Sequence, residues 1–94
     1  MGRQEIVDGA VTLTELLERL RAAGAPSTIV MVDGQLVMPN AAPATWSDVR
    51  LKTPAGTFAL KRQPSGAVAV VAFGNADAAA VAMQTQIAAA LKPA

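Results

Sequence analysis

Leucine residues recur at helical spacing near the start of the chain. Four of them fall at positions i, i+3, i+4 and i+7 and form one apolar stripe: Leu13, Leu16, Leu17 and Leu20. Thr12 can cap this helix, and Glu15 follows it at the spacing of a capping box. Glu15 and Arg19 also form an i,i+4 charge pair, and Gly24 supplies the left-handed position that ends a helix. The pattern predicts a helix over about Thr12 to Ala23.

The next apolar segment, TIVMVDGQLVMP, predicts a β-hairpin. Asp33-Gly34 is a favoured pair for a two-residue type I′ turn. That turn places Val32 opposite Gln35 and Met31 opposite Leu36. One side of the hairpin is then predicted to hold Ile29, Met31, Leu36 and Met38, and the other Val30 and Val37. Because both sides are apolar, we expect both to be covered.

Three further strands are predicted within Asp48 to Phe73. Side chains alternate along a strand, so the register follows from matching the apolar positions of neighbouring strands. This match places Leu51 opposite Phe58 and Val49 opposite Leu60, then Leu60 opposite Ala69 and Phe58 opposite Val71. The predicted core side of these strands consists of Val49, Leu51, Phe58, Leu60, Ala69, Val71 and Phe73.

The other side of the same strands combines cationic and apolar residues. It is predicted to hold Arg50, Lys52, Thr57, Ala59, Lys61, Val68 and Val70. Asp48 lies opposite Lys61 in this register, which predicts a cross-strand ion pair. An ordinary solvated strand surface shows the same alternation of charged and small residues. The pattern alone therefore leaves open whether this side has a function.

An alanine-rich segment from Asn75 to Lys92 predicts a second helix, with Asn75 as its N-cap and Asp77 in its first turn. The elements together predict an α+β fold in the order α-β-β-β-β-β-α. Its five-stranded antiparallel sheet carries the N- and C-terminal helices on one face. All 94 residues are predicted to form a single domain, with flexible ends over about residues 1–8 and 92–94.

The composition narrows the classes of function. Eight Lys and Arg stand against seven Asp and Glu, so the net charge of +1 gives no strong field for nucleic acid or an anionic membrane. The sequence has no His and no Cys, and it contains neither a P-loop nor a G-x-S-x-G motif. We therefore expect a protein that is not an enzyme, without catalytic residues, metal site or cofactor.

The cellular location follows only as a default. The apolar stretches are shorter than a membrane span, and the first residues, MGRQEIVDG, lack the apolar core of a secretory signal. We therefore expect a cytoplasmic protein that does not contact membranes.

The order of elements resembles the Roadblock domain, the dynein light-chain type common in bacteria. The resemblance lies in a leading amphipathic helix, the Asp-Gly hairpin of Val30 to Val37, and a last strand that leads into a helix. Comparable places are occupied by Gly66, Ala67, Val70, Asn75 and Asp77. The family is similar to regulators that bind small Ras-like GTPases, so the resemblance implies a homodimer and a GTPase partner. It also implies that Asp48 to Thr53 is an edge strand that pairs between subunits.

The chain departs from this family at one place. The family inserts a helix between its second and third strands, whereas Asn40 to Asp48 predicts only a loop that Trp46 anchors to the core. Loss of that helix would uncover one face of the sheet, with Val30, Val37, Ala59, Val68 and Val70.

These observations lead to a hypothesis of function. We expect a homodimeric interaction module that docks a partner protein through the uncovered face, with an apolar centre and a charged rim. The predicted partner-binding residues are Arg50, Lys52, Ala59, Lys61, Val68 and Val70. The alternative is a domain that binds a small anionic ligand through Arg50, Lys52 and Lys61. Nucleic-acid binding is disfavoured because one Trp and two Phe provide no platform for stacked bases.

Overall fold

The fold is α+β, with two helices and an antiparallel sheet. The structure, a computed structural model, describes residues 4–8, 11–38, 43–74 and 77–92. Within these ranges the elements are β1 (Gln4–Val7), α1 (Leu13–Ala22), β2 (Thr28–Val32), β3 (Gln35–Leu36), β4 (Asp48–Thr53), β5 (Gly56–Arg62), β6 (Val68–Ala72) and α2 (Ala78–Leu91). The observed order is therefore β-α-β-β-β-β-β-α, one strand more than the sequence predicts.

The additional strand, β1, pairs with the last strand of the sheet. The strand order is β1-β6-β5-β4-β2-β3, and Gln4 lies opposite Val71 while Val7 lies opposite Val68. Gln4–Val7 therefore belongs to the sheet, although the sequence predicts no element there; the flexible end over residues 1–8 stays a prediction. The predicted edge position of Asp48–Thr53 is also wrong, because β4 lies between β5 and β2.

Both helices cover the same face of the sheet, and one hydrophobic core lies between the two layers. The helices contribute Leu13, Leu16, Leu20, Ala80, Met83, Ile87 and Leu91, and the central strands contribute Val49, Leu51, Phe58, Leu60, Val68 and Val70. Arg19 of α1 joins the helices, because its guanidinium donates hydrogen bonds to the carbonyl oxygens of Ala90 (3.1 Å) and Lys92 (2.7 Å). A cation at this position suits the negative end of the α2 dipole.

The helix caps agree in part with the sequence. The Thr12 hydroxyl accepts a hydrogen bond from the Glu15 amide at 3.2 Å, and Glu15 pairs with Arg19 at 2.8 Å, as predicted. The cap of α2 is Asp77, whose carboxylate accepts a hydrogen bond from the Ala80 amide at 2.8 Å. Asn75, the predicted cap, lies outside the described residues.

The register of β5 on β6 differs from the prediction by one residue. The β4–β5 register is confirmed, with Leu51 opposite Phe58. On the other side of β5, however, Leu60 lies opposite Val70, not opposite Ala69. The turn before β6 sets this register, because the Gln63 amide donates to the Ala67 carbonyl at 2.7 Å. A shift of one residue exchanges the two sides of a strand. Each side chain of β6 therefore lies on the face opposite to the predicted one.

The hairpin contains a β-bulge that the sequence does not indicate. Its turn is confirmed, since Asp33 and Gly34 have φ of 50° and 84° and Met31 lies opposite Leu36. Against β4, however, the register shifts between Ile29 and Met31. The extra residue turns Ile29 toward the core and Met31 away from it. The prediction that these two side chains share one side is therefore wrong.

Candidate interaction surface

The outer face of the sheet is the face that points away from both helices. Cross-strand pairing places on it Ile6, Met31, Leu36, Asp48, Arg50, Lys52, Thr57, Ala59, Lys61, Ala69 and Val71. Over the ranges that the structure describes, neither helix packs against this face. In the described ranges this is therefore the face on which the strands meet solvent.

Large apolar side chains are exposed on the outer face. Ile6 of β1 is 57% exposed and Leu36 of β3 is 82% exposed. Phe73, which is 43% exposed, follows β6 and donates its amide hydrogen to the Thr57 carbonyl at 3.1 Å. The three side chains thus stand at the two edges and at one end of the same face. Ile6 and Leu36 lie on opposite edge strands, so the three side chains are separate apolar positions on one face and do not form a single patch.

Arg50 and Phe73 form a bridge across the middle of the outer face. The Arg50 Cζ atom lies 4.5 Å from the centre of the Phe73 ring. Because β5 separates the strands of these two residues, the Arg50 side chain must cross β5 beside its cross-strand partner, Ala59. Ala59 is 0% exposed although neither helix covers it. Its small side chain leaves room for the bridge.

The cations of the outer face are only partly paired. The Arg50 Nε atom lies 3.8 Å from the Asp48 Oδ1 atom. Lys61 lies opposite Asp48 as predicted, but the expected ion pair is not formed, because the carboxylate lies near Arg50 instead. Lys52 and Lys61 are exposed, and neither has a carboxylate within ion-pair distance in the described part of the chain. Two lysines are thus available to an external anionic group.

The structure brings together four of the six predicted partner-binding residues: Arg50, Lys52, Ala59 and Lys61. Val68 and Val70 do not belong with them. Each is 0% exposed and lies in the core beneath the helices, so their predicted place on the uncovered face is wrong. The one-residue shift of β6 puts Ala69 and Val71 on the outer face in their stead.

The sequence interpretation missed the exposed apolar residues of this face. The sequence does not predict β1 as a strand, so it does not place Ile6 on any face of the sheet. The predicted register of β6 places Phe73 on the core side, which is wrong because the register is shifted by one residue. The signal that could have placed Phe73 is the length of the turn from Gln63 to Ala67, which fixes how β6 meets β5.

A second polar cluster fastens the loop before β4. The predicted anchor, Trp46, is buried in the core, with the Arg62 Cζ atom 4.3 Å from its ring centre. Arg62 Nε donates to the Trp46 carbonyl at 3.0 Å, and Asp33 Oδ1 accepts from the amides of Ser47 and Asp48 at 2.9 Å each. Asp33, Trp46, Ser47 and Arg62 are among the residues that line an open pocket of about 430 Å³. Since its charged groups already bind the loop, we interpret the cluster as structural.

The described residues contain neither a candidate metal site nor a candidate membrane-spanning helix. No three His, Cys, Asp or Glu side chains in the ranges given above are grouped so that they could hold a metal ion. In the same ranges, neither helix has the length and apolar character needed to cross a membrane.

Comparison with known proteins does not assign this surface. No protein-family model, no curated protein and no solved structure matches the chain. The resemblance to the Roadblock domain therefore stays a prediction, and the outer face is the feature from which a function can be inferred.

Proposed function

We propose that the chain is a non-enzymatic protein-interaction module that docks a partner protein through the outer face of its sheet. The observation that carries the proposal is the position of Ile6, Leu36 and Phe73. These large apolar side chains are exposed at three separate places on the face of the sheet that neither helix covers in the described ranges. Burying such a group against a partner removes apolar area from water, which is the main driving force of association.

The size of the face favours a transient complex. Six strands at a spacing of about 4.8 Å span about 24 Å, and a strand of five residues covers about 17 Å. The flat area is therefore roughly 400 Å², about half of the roughly 800 Å² that each partner contributes to a standard interface. A stable homodimer formed through this face alone is not favoured by that area. Homodimerisation, and a small Ras-like GTPase as the partner, stay predictions.

The shape of the face favours a protein over a small anionic ligand. Small-molecule sites are concave and bury most of the ligand, whereas Arg50, Lys52 and Lys61 project from a sheet surface. A protein surface can contact the cations and the exposed apolar side chains at once, which a small anion does not.

Selection from a displayed library of random peptides on the immobilised chain tests the proposal. We expect enriched peptides to bind the native chain and to lose binding to a double variant, Ile6→Ser with Phe73→Ser. The matched control is Arg21→Ser, an exposed position of α1 on the other layer, which should leave binding unchanged. Thermal melts establish that all variants fold. The proposal fails if no peptide is enriched, or if the double variant binds the peptides as well as the native chain.

A further inference from the structure

The outer face carries charge as well as apolar area, and the charge points to a kind of partner. We infer that the docked surface is an acidic protein surface, with carboxylates at its centre and apolar residues on either side. This inference rests on the proposed function, because it specifies what the outer face binds.

The charges of the chain are unevenly distributed. The net charge is only +1, and α1 balances Glu15 and Glu18 with Arg19 and Arg21. The described outer face instead combines Arg50, Lys52 and Lys61 with a single carboxylate, Asp48. The positive excess is therefore local to the face that also exposes apolar side chains.

Arg50 is held ready for a carboxylate. Its guanidinium lies over the Phe73 ring, which restricts the side chain before any partner arrives. Immobilising a long side chain opposes binding, so a side chain that is already held loses less entropy on association. In the described part of the chain Arg50 donates no short hydrogen bond, and a guanidinium can bind a carboxylate through two parallel N–H groups.

The arrangement of the face predicts the pattern of the partner. Arg50, Lys52 and Lys61 lie on the two strands near the middle of the sheet, whereas Ile6 and Leu36 lie on its two edge strands. Between them Ala59 and Ala69 have short side chains and are buried, so the partner meets the Arg50 side chain there instead of the strands themselves. Acidic residues of the partner should therefore lie between apolar residues that are about 24 Å apart, the width of six strands.

Other occupants fit these observations less well. A second copy docked face to face would bring the cations of one copy against those of the other, and like charges across an interface are unfavourable. A nucleic acid would release few counterions on meeting three cations, and Phe73, already stacked on Arg50, is a poor platform for a base. An acidic protein surface satisfies both the lysines and the apolar side chains.

The same displayed library tests the inference. We expect enriched peptides to carry Glu or Asp between apolar residues. Each enriched peptide is then synthesised with a neutral twin in which Glu and Asp are replaced by Gln and Asn. Dissociation constants come from fluorescence anisotropy at salt concentrations of about 20 mM and about 300 mM, because screening weakens exposed charge pairs. The chain is used in its native form, as Lys52→Gln with Lys61→Gln, and as the control Arg21→Gln.

The expected result is a loss of affinity of about tenfold or more in the lysine double variant, in the neutral twins and at the higher salt, with little change in the control. Peptides that require Ile6 and Phe73 but are neutral or basic would overturn the acidic partner and leave the docking surface standing. Peptides that bind independently of Ile6 and Phe73 would overturn both. Stronger binding of a duplex oligonucleotide than of any enriched peptide, lost in the lysine variant, would also overturn the acidic protein partner.

Discussion

The two faces of the central strands have opposite surroundings although they share one backbone. On the core face, Leu51, Leu60 and Val70 are 0% exposed beneath the helices. On the outer face, Lys52 and Lys61, the next residues along the same strands, are exposed. Val70 and Val71 make the contrast sharper, since identical side chains one step apart are fully and only half buried. The side of the strand, more than the type of residue, determines whether a side chain is buried or exposed.

The comparison also separates burial from coverage. Ala59 is as buried as Leu60, but the helices cover Leu60 and the Arg50–Phe73 bridge lies beside Ala59. A partner can contact a cover of exposed side chains directly, whereas the helices are held by the core. The outer face can therefore change its contacts without unfolding the domain.

The largest difference in stability should come from placing the same charge on the core side and on the outer side of β6. Val70→Glu would bury a carboxylate in the core, where an unpaired charge has a very high free energy. We expect a loss of at least about 4 kcal/mol, a large part of the roughly 5–14 kcal/mol expected for a domain of this size. Val71→Glu should cost less than about 1 kcal/mol because its side chain meets solvent.

Urea denaturation, monitored by circular dichroism, measures the free energy of unfolding of both variants. Val71 is the matched control for Val70, since both are valines on one strand. If Val70→Glu were as stable as Val71→Glu, the β5–β6 register described here would be incorrect.

An intermediate effect is expected where α2 meets the core face. Gln84 is 2% exposed, and its Nε2 atom donates to the Val70 carbonyl at 2.8 Å. Gln84→Ala removes this hydrogen bond and leaves a cavity, so we expect a loss of about 2 kcal/mol in the free energy of unfolding. Gln86→Ala, at a half-buried position of the same helix, should change stability by less than about 0.5 kcal/mol. Equal losses in the two variants would contradict the tight packing of Gln84.

A smaller effect on stability is expected at the start of α2, one of the two helices that cover the core face. Asp77→Ala removes the side-chain acceptor of the Ala80 amide, and the loss of an N-cap costs about 1 kcal/mol. Glu18→Ala removes an exposed carboxylate from α1 and serves as the control. Thermal melts should show a lower midpoint for Asp77→Ala alone, and unchanged melting would argue against Asp77 as the cap.

The smallest effect should come from the outer face itself. A double-mutant cycle of Arg50→Ala and Phe73→Ala isolates their interaction, and exposed cation–π pairs contribute about 0.5–1 kcal/mol. We expect a coupling at the low end of that range, because both side chains are partly exposed. A cycle of Lys52→Ala with Phe73→Ala is the control. No coupling for Arg50 would mean that the bridge contributes nothing to the folded state.

The sequence predicts an element well where polar and apolar residues alternate in it. In β4 Arg50 separates Val49 from Leu51, and in β5 the small Ala59 separates Phe58 from Leu60. The phase of each strand is therefore fixed, and Leu51 opposite Phe58 follows from it. In β6, by contrast, Val68 to Ala72 are all apolar. Alternation then carries no information about which side chains face the core. The turn that precedes β6 sets the register instead, and its conformation is not encoded in the apolar pattern.

Two further features depend on distant parts of the chain. The strand β1 is only four residues long and finds its partner in β6, far along the sequence, so no neighbouring segment indicates it. The bulge in β2 arises where the hairpin meets β4. The cations of the candidate site could therefore be predicted, since they lie on strands with a clear phase. Ile6 and Phe73 could not, because their positions depend on β1 and on the register of β6.

The pairing of β1 with β6 has a consequence for synthesis in the cell. On the ribosome, β1 emerges before the other strands of the sheet, but the strand beside which it lies emerges only after the remaining four have been made. Until then the side chain of Val7 has no strand beside it, and a nascent chain that stalls before Val68 cannot complete the sheet. Such long-range closure slows folding, so the sheet should be completed only after β6 has left the ribosome.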